Sequence, residues 1–432
     1  MTNRYLTAAF APVNEEVTAL DLAVVGEIPP SIDGLYVRNG PNPIGSTDEA
    51  SYNWFLGDGM LHGIELSSGK ARSYKNRWVR MPGSVANTNV VAHGGKLLAL
   101  VEVSLPTEVG TDLSTRGRHD YEGRLRSSMT AHPHVDPTTG EMCFFGYEVV
   151  GAPFLRYHVA ASNGELVHSE EITIPGPSMM HDFAITKTRA VFLDLPVVFD
   201  LNLLGKRPFP AAWTPEHGAR VGVMPRRGTD ADMVWCELEP CYVFHVLNAY
   251  DEGDDVVVDV CRYETMFADD LHGVGGGPAR LERWTVSPSG RKVRTEVVAD
   301  LPLEFPRPDE RLVGQEHRYG YFASPKMKDG SFASTDATSL VKVDLRTGSV
   351  DVHDFGEDAI AGEGVFVPAS EEAAEDEGYV LTIVASRAGD RPSDLVILDA
   401  GALSGPPLAT VHLPVRVPLG FHGNFVPSGS VA

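Results

Sequence analysis

Short runs in which apolar and polar residues alternate, each closed by a turn rich in Gly, Asn, Asp or Ser, recur along the whole chain. The clearest are IELSSGKARSY, HVDPTTGEMCFF, YHVAASNGELVH, WTVSPSGRKVRTEV and VKVDLRTGSVDV, with a looser copy in VILDAGALSGPPLATVHL. A period of two places successive side chains on opposite faces of a strand, and the small or amide residues between the runs suit a tight hairpin. Hairpins repeating at roughly 50-residue intervals, with no linker between them, predict an all-β chain built as a β-propeller, each blade one small sheet. A large β-sandwich is the structural alternative. Helical periodicity is scarce, and the best helix candidate is RYETMFADDL, residues 262 to 271. The acidic run SEEAAEDEG, residues 370 to 378, reads as a solvated loop between two strands.

Composition narrows this picture. The chain of 432 residues is 43% hydrophobic, enough to bury a large core. Its net charge of -23 argues against nucleic acid and anionic membrane surfaces as partners, since both require basic patches. The opening MTNRYLTAAFAPVNEEV lacks a basic segment followed by an apolar core, and no window approaches the apolar length of a spanning helix, so a cytoplasmic location is expected. The four cysteines (Cys143, Cys236, Cys241 and Cys261) are too few for a disulfide framework and are expected as free thiols. There is no GxGxxG fingerprint and no P-loop, which argues against NAD(P)H or flavin.

The candidate chemistry lies in the histidines. Four of the fifteen sit in short apolar or small-residue runs: His132 in SMTAHPHVDP, His181 in SMMHDFAIT, His245 in CYVFHVLNAY and His422 in PLGFHGNFVP. A buried imidazole needs partners for both ring nitrogens. Taken singly, each reads as a satisfied core histidine; four in matching contexts point to a shared site. Their intervals of 49, 64 and 177 residues exclude an HExxH site or a zinc-finger loop, whose ligands are close in sequence. A propeller brings such positions together, because strands of different blades converge on one axis. Imidazole-only ligation suits Fe, Zn, Cu or Ni, so the donors alone do not name the metal.

With these stretches in view, the sequence closely resembles the carotenoid cleavage oxygenase family over nearly its entire length. The resemblance also rests on GLYVRNGPNP (34 to 43), WFLGDGMLHG (54 to 63), NTNVVAHGGKLLALVE (87 to 102), EFP (304 to 306) and GEGVFVP (362 to 368). It implies one domain over residues 1–432, a seven-bladed β-propeller with loops and short helices capping an axial metal site. It further implies one non-haem Fe(II) per chain on His132, His181, His245 and His422, with His134 and His62 at non-ligand positions. Three glutamates, Glu102, Glu304 and Glu363, are implied to hold the outer nitrogens of the ligand imidazoles, which fixes the rings and raises their basicity.

The implied reaction is dioxygenase cleavage of a C=C bond to two carbonyl products, with O2 as co-substrate. Four oxidising equivalents of O2 match the four consumed, so no further redox cofactor is required. No general acid, base or nucleophile is demanded beyond the metal centre. Family members that cleave stilbenes or phenylpropenes typically carry a lysine just before the first of the three glutamates; here that position is Val101, which favours an apolar carotenoid or apocarotenoid. Phe55 and Val101 are the candidate substrate-lining residues. The stretch LPVVFDLNLLGKRPFPAAWTP, 195 to 215, reads either as ordinary loop packing or as an apolar lip making transient contact with a membrane surface. Alternatives are a stilbene- or isoeugenol-type alkene-cleaving oxygenase, an isomerase or inactive binding protein of the same fold, and a non-enzymatic propeller scaffold. No obligate protein partner is implied.

Overall fold

A computed structural model describes residues 3–207, 209–268, 277–325 and 337–431. All six hairpin-like runs form antiparallel strand pairs. In the first, Gly59–Ser67 returns as Lys70–Trp78, and the two turn residues Ser68 and Gly69 have φ of 52° and 70°. That pair of left-handed residues matches the twist of the strands it joins, and glycine supplies one of them without strain. Among the described residues every helical segment is a three-residue 3-10 turn, and no helix is long and apolar enough to cross a membrane.

The strands assemble into successive small sheets in a propeller-like arrangement. The one eight-stranded sheet consists of two antiparallel groups of four, joined only by a single parallel pairing of Glu237 with Lys292. Sheet faces pack on each other through large apolar side chains, Trp284 among those fully buried. Phe145 meets Phe183 edge to face at 5.3 Å between ring centres, and Tyr157 meets Phe192 likewise at 5.5 Å. Such contacts contribute about 0.5–1.5 kcal/mol each beyond their buried area.

Two pairings join the ends of the chain. Strand Gly34–Pro41 pairs on one side with Gly59–Ser67 and on the other with Gly423–Pro427. Strand Val24–Gly26 pairs with Ala409–His412. At the first closure Gly40 faces Gly420 so closely that a Cβ on Gly40 would lie 2.7 Å from the Gly420 Cα, which leaves no room for a side chain.

Two sequence expectations are corrected. The helix expected over 262 to 271 does not form in its described part: strand Asp255–Tyr263 runs into it, and an irregular turn follows. Tyr263, Met266 and Phe267 are all buried, and Phe267 takes a left-handed φ of 54°, which no α-helix accommodates. Residues 269–271 lie outside the described residues. The acidic run does connect two strands, but it is not simply solvated. Glu375 accepts from the backbone N–H groups of Arg318 (2.6 Å) and Tyr319 (2.7 Å), and Asp376 pairs with Lys342 at 2.7 Å. All four cysteines are buried free thiols.

Candidate metal centre

Four separate strand groups deliver the four histidines. His132 lies two residues before His134–Val135, His181 three before Ala184–Ile185, and His422 one before Gly423–Pro427. His245 lies within Tyr242–Glu252, where the register breaks between Val243 and Val246 and the chain bulges. A bulge re-aims a side chain that regular pleating would send elsewhere. Each of these strands is an end strand of its four- or five-stranded group. All four imidazoles are buried, and their candidate donor atoms lie within 4.8 Å of one another.

The outer nitrogens of three rings each lie against a carboxylate. His181 Nδ1 meets Glu102 Oε1 at 2.5 Å, His245 Nδ1 meets Glu304 Oε2 at 2.5 Å, and His422 Nδ1 meets Glu363 Oε1 at 3.1 Å. These contacts leave Nε2 of each ring to the centre. His132 Nε2 stands 3.0 Å from His181 Nε2, and His245 Nε2 is buried with no hydrogen-bond partner. Two imidazole nitrogens bound side by side to one ion at roughly 2.1 Å would be about 3 Å apart. The donor set therefore fits a divalent transition metal: neutral imidazoles toward the centre, with three carboxylates behind them to offset its charge. Among the described residues, His132 is the member without a carboxylate partner.

The electrostatics favour neutral rings at His132 and His422. Burial, reinforced by the three other imidazoles, holds His132 well below the ordinary histidine range. His422 is lowered chiefly by burial, against the pull of Glu363. For His245 burial also opposes the charge, but Glu304 outweighs it and the net direction is upward. Burial works against the ionised form of Glu363, yet Arg307, His422 and the Gly423 N–H bring it down to about 2.

Several supports were not visible in the sequence. Asp182 accepts from the backbone N–H of Phe183 at 2.8 Å through Oδ1 and from that of Val246 at 2.8 Å through Oδ2, tying the His181 segment to the bulge that carries His245. His134 spans the same region, with Nε2 2.8 Å from the Phe183 carbonyl. Tyr147 donates to Glu102 Oε2 at 3.2 Å. Arg307 reaches Glu363 at 3.4 Å and the Gly423 carbonyl at 3.1 Å. Phe305 stacks on His245 at 5.2 Å with a left-handed φ of 51°, a strained backbone for a bulky residue beside the site. The one available signal was position: Phe305 and Arg307 flank Pro306 directly after Glu304.

A cavity of about 800 Å³, counting its open mouth, ends on His181, His245, His422, Glu102 and Glu304. Its wall is largely aromatic, with Trp54, Phe55, Phe209, Phe244, Phe305 and Phe421. Phe55 stacks on Phe421 at 5.7 Å, and Val101 forms part of the wall beside Glu102. Within the 195 to 215 stretch, Phe209 lines the cavity and Trp213 packs against the core, whereas Leu201 and Leu204 are exposed. His62 is distant in role: its Nδ1 bonds to Tyr74 Oη at 2.8 Å.

Replacement of Glu363 by Gln retains the fold and loses roughly 10- to 100-fold in metal affinity, because the amide no longer holds the proton of His422 Nδ1 as strongly. A metal titration of the variant checks this, and an unchanged affinity removes Glu363 from the site's support.

Residues 10–85 and 80–427 match the family model for retinal pigment epithelial membrane protein (RPE65). The chain is 39% identical to a carotenoid cleavage oxygenase of Mycobacterium tuberculosis (strain H37Rv), over 99% of this chain and 98% of that protein. It is 35% identical to carotenoid 9,10(9',10')-cleavage dioxygenase 1 of Arabidopsis thaliana, over 98% and 89% of the two chains. Isoeugenol monooxygenase of Pseudomonas nitroreducens is 32% identical, over 98% of each. Among solved structures, lignostilbene dioxygenase of Pseudomonas brassicacearum superposes with a TM-score of 0.90 at 28% identity, covering 99% of this chain and 100% of that one.

Proposed function

The chain belongs to the RPE65 and carotenoid cleavage oxygenase family, and from that premise we propose that it is an Fe(II)-dependent dioxygenase that splits a C=C bond of a carotenoid or apocarotenoid into two carbonyl products. The observation that carries this reading is an aromatic cavity ending on a ring of four histidines. His132, His181, His245 and His422 would hold one Fe(II). Bound there, the iron supplies the redox chemistry that activates O2 toward an alkene.

The chain's own groups have three tasks. Glu102, Glu304 and Glu363 keep the proton on Nδ1 of their histidines, so each Nε2 lone pair faces the centre. The aromatic wall takes up a flat conjugated chain, aligns it and excludes water. Val101 offers that chain an apolar surface, and Phe55 with Phe421 offers stacked rings. Among the described residues no lysine or arginine lines the cavity, which supports a polyene over a phenolate. One alkene and one O2 yield two carbonyl groups, so the balance closes without another reductant.

The architecture in this reading is one domain, residues 1–432, with seven blades, the eight-stranded sheet counting as two, and loops capping the axis. Exposed Leu201 and Leu204 beside Lys206 support transient contact of this edge with a membrane surface, from which an apolar substrate enters.

The test is absorbance loss of a long-chain apocarotenal mixed in air with the Fe(II)-loaded protein, with isoeugenol and a hydroxystilbene alongside and products identified by mass under labelled O2. The expected result is bleaching of the apocarotenal, two carbonyl products and label in product. Turnover of the phenolic alkenes alone keeps the oxygenase and overturns the substrate class. Cleavage products without label overturn the oxygenase.

A further inference from the structure

Two cavities of different character meet at the histidine ring. The aromatic one ends on it. The second cavity, about 1490 Å³ with its open mouth, reaches His132, His245, His422 and Glu363. His132 and Glu363 line only this second cavity. Its wall is mixed: Arg307, Glu310, Arg311, Asn424 and Ser430 lie among prolines and aliphatic residues such as Pro306, Pro308 and Val313.

We propose that the metal reaches and leaves the four-histidine ring through this second, charge-bearing channel rather than through the aromatic cavity, and that Arg307 is its gate. The inference rests on the four-histidine iron site proposed above. A hydrated divalent ion sheds its water at high cost in an aromatic cavity, whereas the carboxylates of Glu310 and Glu363 and the amide of Asn424 can replace part of that water along the second channel. Entry and exit through the channel also leave the aromatic cavity dry for the polyene.

Arg307 has the position and the bonding of a gate. Its guanidinium bonds to Glu363, to the Gly423 carbonyl, to Asn424 Oδ1 at 2.8 Å and to Glu310. It thereby joins three chain segments across the channel, directly outside Glu363. A fixed positive charge there repels a cation in transit in either direction. Its outermost partner, Glu310, is well exposed, whereas Glu363 is buried. Movement of the guanidinium outward with Glu310 uncovers Glu363, which can then receive the ion and pass it inward.

The test follows exchange of Fe(II) itself under anaerobic conditions: release from the holoenzyme into excess coloured chelator, and uptake by the apoprotein. Arg307→Gln is expected to speed both by about tenfold, the effect of removing one nearby charge, so that the affinity, which is their ratio, changes far less than either rate. Arg307→Lys stays near wild type, Ser430→Trp at the mouth slows both directions, and filling the aromatic cavity with a long-chain apolar ligand changes neither. A merely structural Arg307 would lose affinity through faster release alone, and that outcome overturns the gate. Exchange slowed by the apolar ligand but not by Ser430→Trp overturns the route. If Arg307→Gln does not fold, the Lys and Trp variants and the cavity ligand decide the question. A wild-type chain that binds no iron overturns the ligand set and the route together, whereas iron bound with exchange indifferent to all variants overturns the route alone.

Discussion

His245→Ala is expected to purify with essentially no iron and no alkene-cleaving activity. The substitution removes one of four donors and leaves Glu304, a buried carboxylate whose partner was His245 Nδ1 at 2.5 Å, without its imidazole. An uncompensated buried polar group costs about 1–3 kcal/mol, more when charged, so the variant should also unfold more easily than the wild-type apoprotein. Pairing it with Glu304→Gln removes the stranded charge and should recover part of that stability while restoring no iron. Metal analysis of the purified variants and urea unfolding read the two effects separately. A full complement of iron with normal turnover in His245→Ala would show that this residue is not a ligand.

Asp182→Ala is expected to be nearly as damaging, although no metal touches that side chain. Its two oxygens accept the backbone N–H groups of Phe183 and Val246; without them two buried donors lose their partners, at roughly 1–3 kcal/mol each. The bulge carrying His245 also loses its tie to the His181 segment, so two of the four donors drift. A loss of iron affinity of about 10- to 100-fold is expected, the size typical of outer support around a metal. Metal titration beside unfolding of the apoprotein distinguishes this from a generic loss of stability: Asp182→Asn keeps one acceptor and should fall between the two. Normal affinity in a destabilised Asp182→Ala would confine Asp182 to folding.

The hairpins were legible because period-two alternation and turn residues are local signals, and the six runs read from the sequence are strand pairs in the structure. The helix read over 262 to 271 failed because its spacing of apolar residues was taken as a periodic face, whereas Tyr263, Met266 and Phe267 are buried from an irregular turn. The histidines stood out by their apolar surroundings, and the structure brings them together. The glutamates were legible only through resemblance, since their partners lie 59 to 79 residues away in the chain. Asp182 and Arg307 were not legible at all. Asp182 acts on a backbone N–H 64 residues along, and Arg307 bonds to a carbonyl 116 residues along; side-chain type carries no information about such contacts. The acidic run misled for the same reason, because Glu375 caps the distant N–H groups of Arg318 and Tyr319.

The strand that closes the ring of sheets, Gly423–Pro427, begins one residue after His422. During synthesis His132, His181 and His245 leave the ribosome long before their fourth companion, and strand Gly34–Pro41 waits through almost the entire chain for its second neighbour. The complete set of four donors therefore depends on a pairing between strands from distant parts of the chain. Because only the closed form offers all four nitrogens, bound metal acts as a latch on that closure, adding about 2.7 kcal/mol to the stability of the whole ring when free metal stands at 100 times the dissociation constant.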